Sequence, residues 1–75
     1  MAEEKEITGR IILVQEERFR IVDNRGRSFL FDLSHRAPVT NQDLINWSKA
    51  KTWLVVEYEG EPEMESGIAH SVKAV

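Results

Sequence analysis

Apolar residues along this chain fall in short runs that alternate with polar positions at a period of two, the pattern of strands with one covered face. Ile11-Ile12-Leu13-Val14 opens the pattern, Phe19-Arg20-Ile21-Val22 continues it, and Phe29-Leu30-Phe31-Asp32-Leu33 completes a three-strand meander. On the second strand Phe19 and Ile21 share one face, with Arg18 and Arg20 on the other. On the third, Phe29, Phe31 and Leu33 oppose Ser28, Leu30 and Asp32. The first strand is apolar at both parities, which predicts a strand covered on both sides and shared between two halves of a closed barrel. Gly9 just before it predicts a bulge or bend. Asp23-Asn24-Arg25-Gly26 supplies an Asx start and a glycine for the left-handed position of a short hairpin loop. Gln15-Glu16-Glu17-Arg18 is a plainer polar break and predicts the other hairpin.

The period then changes. Pro38 rules out helix immediately before it, and Val39 to Leu44 carries agreeing helix-start signals: Thr40 as cap, Asp43 in the capping-box position, Val39 and Leu44 as a hydrophobic staple. The helix is expected to run to about Lys49 or Lys51, with Leu44 and Trp47 as its apolar stripe, Ile45 beside it, and basic residues favourable in the last turn. Thr52 to Glu59 reads as a fourth strand with Leu54, Val56 and Tyr58 on one face and Trp53, Val55 and Glu57 on the other. Alternation turns Trp53 away from Leu54, and burial under the N-terminal segment or a barrel corner is expected for it. An acidic, proline-bearing loop follows from Gly60 to Gly67. A fifth strand, Ile68 to Val75, is expected to set Ile68, His70, Val72 and Ala74 against Ala69, Ser71, Lys73 and Val75.

Three strands, a short helix and two strands predict an all-β, five-stranded OB-fold-like barrel with the helix between strands 3 and 4 closing one end. The alternative is an SH3-like small barrel in which the helix shrinks to a single 3₁₀ turn.

Composition narrows the reading. Seventy-five residues make one small domain, read as 7–75 behind a charged lead-in at 1–6, that buries only about 60% of its unfolded surface. There is no cysteine, so neither a disulfide framework nor a thiolate metal site is available. His35 and His70 with Met64 fall short of a metal ligand set, and no cofactor or metal is expected. The N-terminus lacks the apolar segment of a secretory signal, and no run approaches the roughly 20 apolar residues of a membrane span. The expectation is a cytoplasmic protein that does not engage a membrane. Net charge is -3, against nonspecific nucleic-acid binding overall. The distribution is uneven: all six arginines lie between Arg10 and Arg36, while Glu57 to Glu65 holds five glutamates and no base. The molecule is expected to be electrically two-sided.

The Gly9-Arg10-Ile11 opening, Phe19-Arg20-Ile21, the Asn24 to Gly26 turn, Ser34 after strand three and the Leu54 to Glu59 strand together resemble the S1-like branch of the OB-fold. In layout the chain is similar to the bacterial translation initiation factor one family. The resemblance implies a single-stranded nucleic acid site on the outer face of strands two and three, between the loops after strands one and four. It puts Arg18 and Arg20 on that face, Arg25 and Arg27 at the turn, and His35 and Arg36 just past it. This chain departs from the pattern in two ways. Ser28, Leu30 and Asp32 offer no aromatic for base stacking, a contribution of about 1 to 3 kcal/mol per base, and Glu61-Pro62-Glu63-Met64-Glu65 would repel phosphate.

No Gly-x-Ser-x-Gly, phosphate loop, cysteine nucleophile or paired-histidine zinc motif occurs, and a barrel of this size is expected to have little room for a substrate pocket of several hundred Å³. The protein is therefore read as a binding module and not an enzyme. Single-stranded RNA or DNA held by Arg18, Arg20, Arg25, Arg27 and Arg36 is the first reading. An adaptor docking a protein through the basic face, the 61–65 loop or an exposed Trp53 is the alternative. For the arginines the plainer account is a solvated face of cross-strand charge pairs with Glu16, Glu17 and Asp32.

Overall fold

One long strand makes a barrel out of otherwise short pieces. β1 (Lys5–Gln15) pairs through Lys5 to Gly9 with β4 (Leu54–Gly60) and through Arg10 to Gln15 with β2 (Arg18–Val22), both antiparallel. The structure, a computed structural model, describes residues 5–75. The changeover from one partner to the other falls at Gly9. A Cβ there would stand 2.5 Å from the Val22 carbonyl oxygen, so only glycine lets the backbone of β2 come that close. The bend expected at Gly9 is thus a close approach of two main chains.

β3 (Ser28–Leu33) pairs antiparallel with β2, and β5 (Gly67–Ala74) joins β3 to β4, parallel to the first and antiparallel to the second. The closed order is β1-β2-β3-β5-β4. α1 (Asn41–Ala50) lies between β3 and β4, and its ten residues set aside the SH3-like alternative. The start signals act as expected. Asp43 N–H donates to Thr40 Oγ1 at 3.1 Å and Thr40 N–H donates to Asp43 Oδ2 at 3.0 Å, a reciprocal capping box. Val39 and Trp47 pack on the core that Leu44 enters.

That core is what alternation predicted for β2, β3 and β4: Phe19, Ile21, Phe29, Phe31, Leu33, Leu54, Val56 and Tyr58 are all buried. Phe31 stacks on Phe19 at 5.6 Å and meets Tyr58 edge-on at 5.0 Å. Each fully buried side chain of this size is worth about 1.5 to 3 kcal/mol.

Two strands depart from strict alternation, each at a bulge. In β1 the register shifts between Ile11 and Leu13, so Ile12 is an extra residue without a partner on β2. Ile12 and Leu13 consequently both face solvent, 53% and 47% exposed, which corrects the expectation of a strand covered on both sides. In β5 the register shifts opposite Glu57 and Tyr58, leaving His70 as the extra residue. Ala69 and Val72 therefore point inward while Ile68 and His70 point out, and the predicted face of Ile68, His70, Val72 and Ala74 is broken. The lead-in assigned to 1–6 is also shorter. Lys5 and Glu6 pair with Tyr58 and Glu57 in β1, and residues 1–4 lie outside the described residues.

Candidate binding surface

The outer face of β2 and β3 carries Arg18 and Arg20 as alternation requires. Arg18 Nε donates to Asp32 Oδ1 at 2.9 Å, directly across the strand pair, and Ser66 Oγ donates to Asp32 Oδ2 at 3.0 Å. The Arg18 bond holds the Asp32 carboxyl below its ordinary range, against partial burial that would raise it and with help from Ser66. Arg20 Nη1 donates to Ser28 Oγ at 3.4 Å. Along the same strand the Leu30 N–H donates to the Pro62 carbonyl at 3.4 Å, so the glutamate-bearing loop lies against β3. An anion approaching the middle of this face meets Asp32 and that loop together with the arginines.

At the β2–β3 turn the chemistry is different. Asp23 is 9% exposed, and its Oδ1 accepts the N–H groups of Arg25 and Arg27, both at 2.9 Å, while its Oδ2 accepts Arg27 Nε at 3.1 Å. Burial alone would raise the Asp23 carboxyl; the two backbone N–H groups and the Arg27 guanidinium outweigh it and hold the group below its ordinary range. Gly26 takes the left-handed conformation at φ 81°. The loop is thereby wound so that Arg25 and Arg27 project, with the Arg27 guanidinium 5.8 Å from the Phe29 ring. Arg25 has no side-chain partner among the described residues. Arg36 lies exposed beyond β3, tied only through its backbone N–H to Ser34 Oγ at 3.2 Å.

Trp53 corrects the sequence expectation. It precedes β4 instead of standing within it, and it is 39% exposed. Its carbonyl accepts the Val75 N–H at 2.9 Å, and the Arg10 guanidinium lies over the indole at 5.0 Å, a cation–π contact. Arg10 Nε is buried and makes no hydrogen bond, which leaves the terminal Nη groups as its donors. Beside the indole an open cleft of about 320 Å³ is lined by Thr8, Asn24 and Trp53. Trp53 and Arg10 are thus brought to the β2–β3 turn that carries Arg25 and Arg27. Arg18 and Arg36 stand apart from this group.

Sequence reasoning missed a third feature. The outward Ile12 and Leu13 border α1, and two open clefts of about 350 and 320 Å³ run between β1 and the helix, sharing Ile12 and Ser48. The repeated Ile-Ile-Leu-Val apolarity was the only signal, and it pointed to a covered strand.

A larger open depression of about 730 Å³ is lined by Gln15, Glu16, Glu17, Arg18, Asp32, Leu33 and His35, so the surface does offer more room than expected. Four of its polar groups are paired: Asp32 with Arg18, and also with Ser66 outside the depression, and Glu17 Oε2 with His35 Nδ1 at 3.6 Å. His70 faces Glu59 at 3.4 Å. No group of three metal-ligating side chains forms among the described residues, and none of the described helices is long and apolar enough to cross a membrane.

Fold and surface together define a small closed β-barrel with one capping helix and a basic, tryptophan-bearing end. Comparison with protein-family models, curated proteins and solved structures gave no match.

Proposed function

We propose that this protein is a non-catalytic module that binds single-stranded nucleic acid, the ligand class its resemblance to the S1-like OB-fold branch and initiation factor one implies, but at the barrel end built by Arg10, Asn24, Arg25, Arg27 and Trp53 and not on the outer face of strands two and three where the resemblance puts it. One observation carries the reading: an exposed indole with a guanidinium stacked on it, beside a turn that projects two more arginines. Base stacking on an aromatic side chain combined with nearby cations is how sequence-tolerant single-strand sites work. The sheet face itself lacks that aromatic, and the Arg10–Trp53 pair supplies it at a neighbouring position. Arg20, on β2, extends the basic surface toward the face. Arg18 contributes less than Arg25, because Asp32 already pairs with it, as Asp23 does with Arg27.

The test is anisotropy of a labelled single strand of about 10 nucleotides, within the usual span of one such barrel, at two salt concentrations. Neutralising about three phosphates gives a slope of log K against log salt near -2. Trp53→Ala is expected to weaken binding about 5- to 150-fold, the value of one stacked base, and Arg18→Ala less than Trp53→Ala. Absence of binding at about 50 mM salt, where the electrostatic contribution is large, removes the reading. The alternative, an adaptor for a protein partner, is favoured by the same exposure of Trp53, since aromatic anchors dominate docking interfaces. It predicts saturable binding of a folded partner that Trp53→Ala abolishes and single strands do not displace.

A further inference from the structure

We infer that the groove between β1 and α1 is a self-association site that receives the acidic 61–65 loop of a second copy of this chain. The groove floor is Ile12, Leu13 and Ile45, with Ser48, Lys49 and Lys51 along its helix side. Ile12 and Leu13 are exposed only because the β1 bulge turns two successive residues outward. A bulge that re-aims large apolar side chains into solvent has a cost unless something covers them. The bases beside them have no acidic partner among the described residues: neither Lys49 nor Lys51 takes part in an ion pair, and no carboxylate lines either cleft.

The complement of this groove exists on the same molecule. Met64 is the most exposed large apolar residue described, at 82%, and it stands between Glu63 and Glu65. Glu61 already faces Lys5 at 3.6 Å, whereas Glu63 and Glu65 form no ion pair among the described residues. A thioether is well suited to an irregular apolar cleft. Met64 N–H and Glu65 N–H both donate to the Glu61 carbonyl, so the loop is one tight turn with Glu63 and Glu65 on either flank of Met64; seating Met64 over Ile12, Leu13 and Ile45 turns one of the two glutamates to the lysine side. Charge and apolarity thus match in one placement, which also favours this occupant over a basic or purely apolar one. Groove and loop are different surfaces, so the contact either closes as a reciprocal two-fold dimer or runs head to tail.

Sedimentation of the full chain from about 10 μM to about 1 mM, where contacts this small associate, is expected to give a mass rising above 8.7 kDa and falling again as salt is raised. Leu13→Asp and Met64→Asp, both surface changes whose folding is checked by circular dichroism, are each expected to weaken association at least about tenfold. Mixing the two variants restores one intact contact, groove of the Met64→Asp copy against loop of the Leu13→Asp copy, and produces a heterodimer that neither forms alone. A chain that stays monomeric throughout the range overturns the proposal. So does association that survives both substitutions, or variants that fail to complement. Neither change touches Arg10, Arg25 or Trp53, so nucleic acid binding by the variants stays intact if that separate reading holds.

Discussion

Single residues decide where the main chains of this barrel can meet. Gly9→Ala would set a methyl group 2.5 Å from the Val22 carbonyl oxygen, and two backbones, not a flexible side chain, would have to part. The expected cost is about 1 to 3 kcal/mol, read as a lowered denaturation midpoint at unchanged slope. Asp23 is the second such residue. Its carboxyl is depressed in the folded state, so its ionised form contributes stability at pH values above the ordinary carboxylate pKa of about 3.9, and that contribution is lost as pH falls through the lower folded value. Asp23→Asn keeps an acceptor for the turn but not the charge. Its melting temperature is expected to lie below that of the wild type at pH 7 and to approach it as pH falls below about 4, where the unfolded chain's carboxyl takes up a proton while the folded one still resists. Curves that remain parallel down to pH 2 would contradict this assignment.

At the scale of elements, most of the architecture was legible because local signals agreed. Thr40, Asp43, Val39 and Leu44 fixed the start of α1, and the Asp23–Gly26 turn and the phenylalanine alternation fixed β2 and β3. Thr40→Ala removes one half of the capping box and is expected to cost about 1 kcal/mol; a thermal melt unchanged within error would show that packing of Leu44 alone holds the helix. Period-two reasoning failed where a strand carries an extra residue. Nothing in Ile11-Ile12-Leu13-Val14 marks Ile12 as unpaired, because a bulge is set by the partner strand's register and by β1 changing partners at Gly9. The same holds for His70 in β5. Trp53 was misjudged for a different reason: alternation turned it away from the buried Leu54, as observed, but burial under the N-terminal segment or a barrel corner was expected, and it stands 39% exposed with the Arg10 guanidinium over its ring.

For the whole molecule, the fold brings the basic and acidic stretches of the sequence against one another. Arg18 on the sheet face pairs with Asp32 and Arg27 at the turn pairs with Asp23, and the acidic loop folds back onto β3 through Leu30 and Pro62. Arg10 and Arg25, which form no ion pair among the described residues, are left beside Trp53 at the β2–β3 turn. The residue types of this end were visible in the chain, whereas their meeting was not, since pairing of β1 with β4 sets Arg10 beside Trp53 and pairing of β1 with β2 brings the β2–β3 turn to them. The candidate site thus depends on the barrel closing.

A nitrogen-15 chemical-shift titration of the full chain with a single strand of about 10 nucleotides at low salt tests this most directly. The account predicts graded shifts at Arg10, Asn24, Arg25 and the Trp53 indole N–H, with Glu61 to Glu65 left in place. Shifts confined to other surfaces, or none at saturating strand, would contradict it.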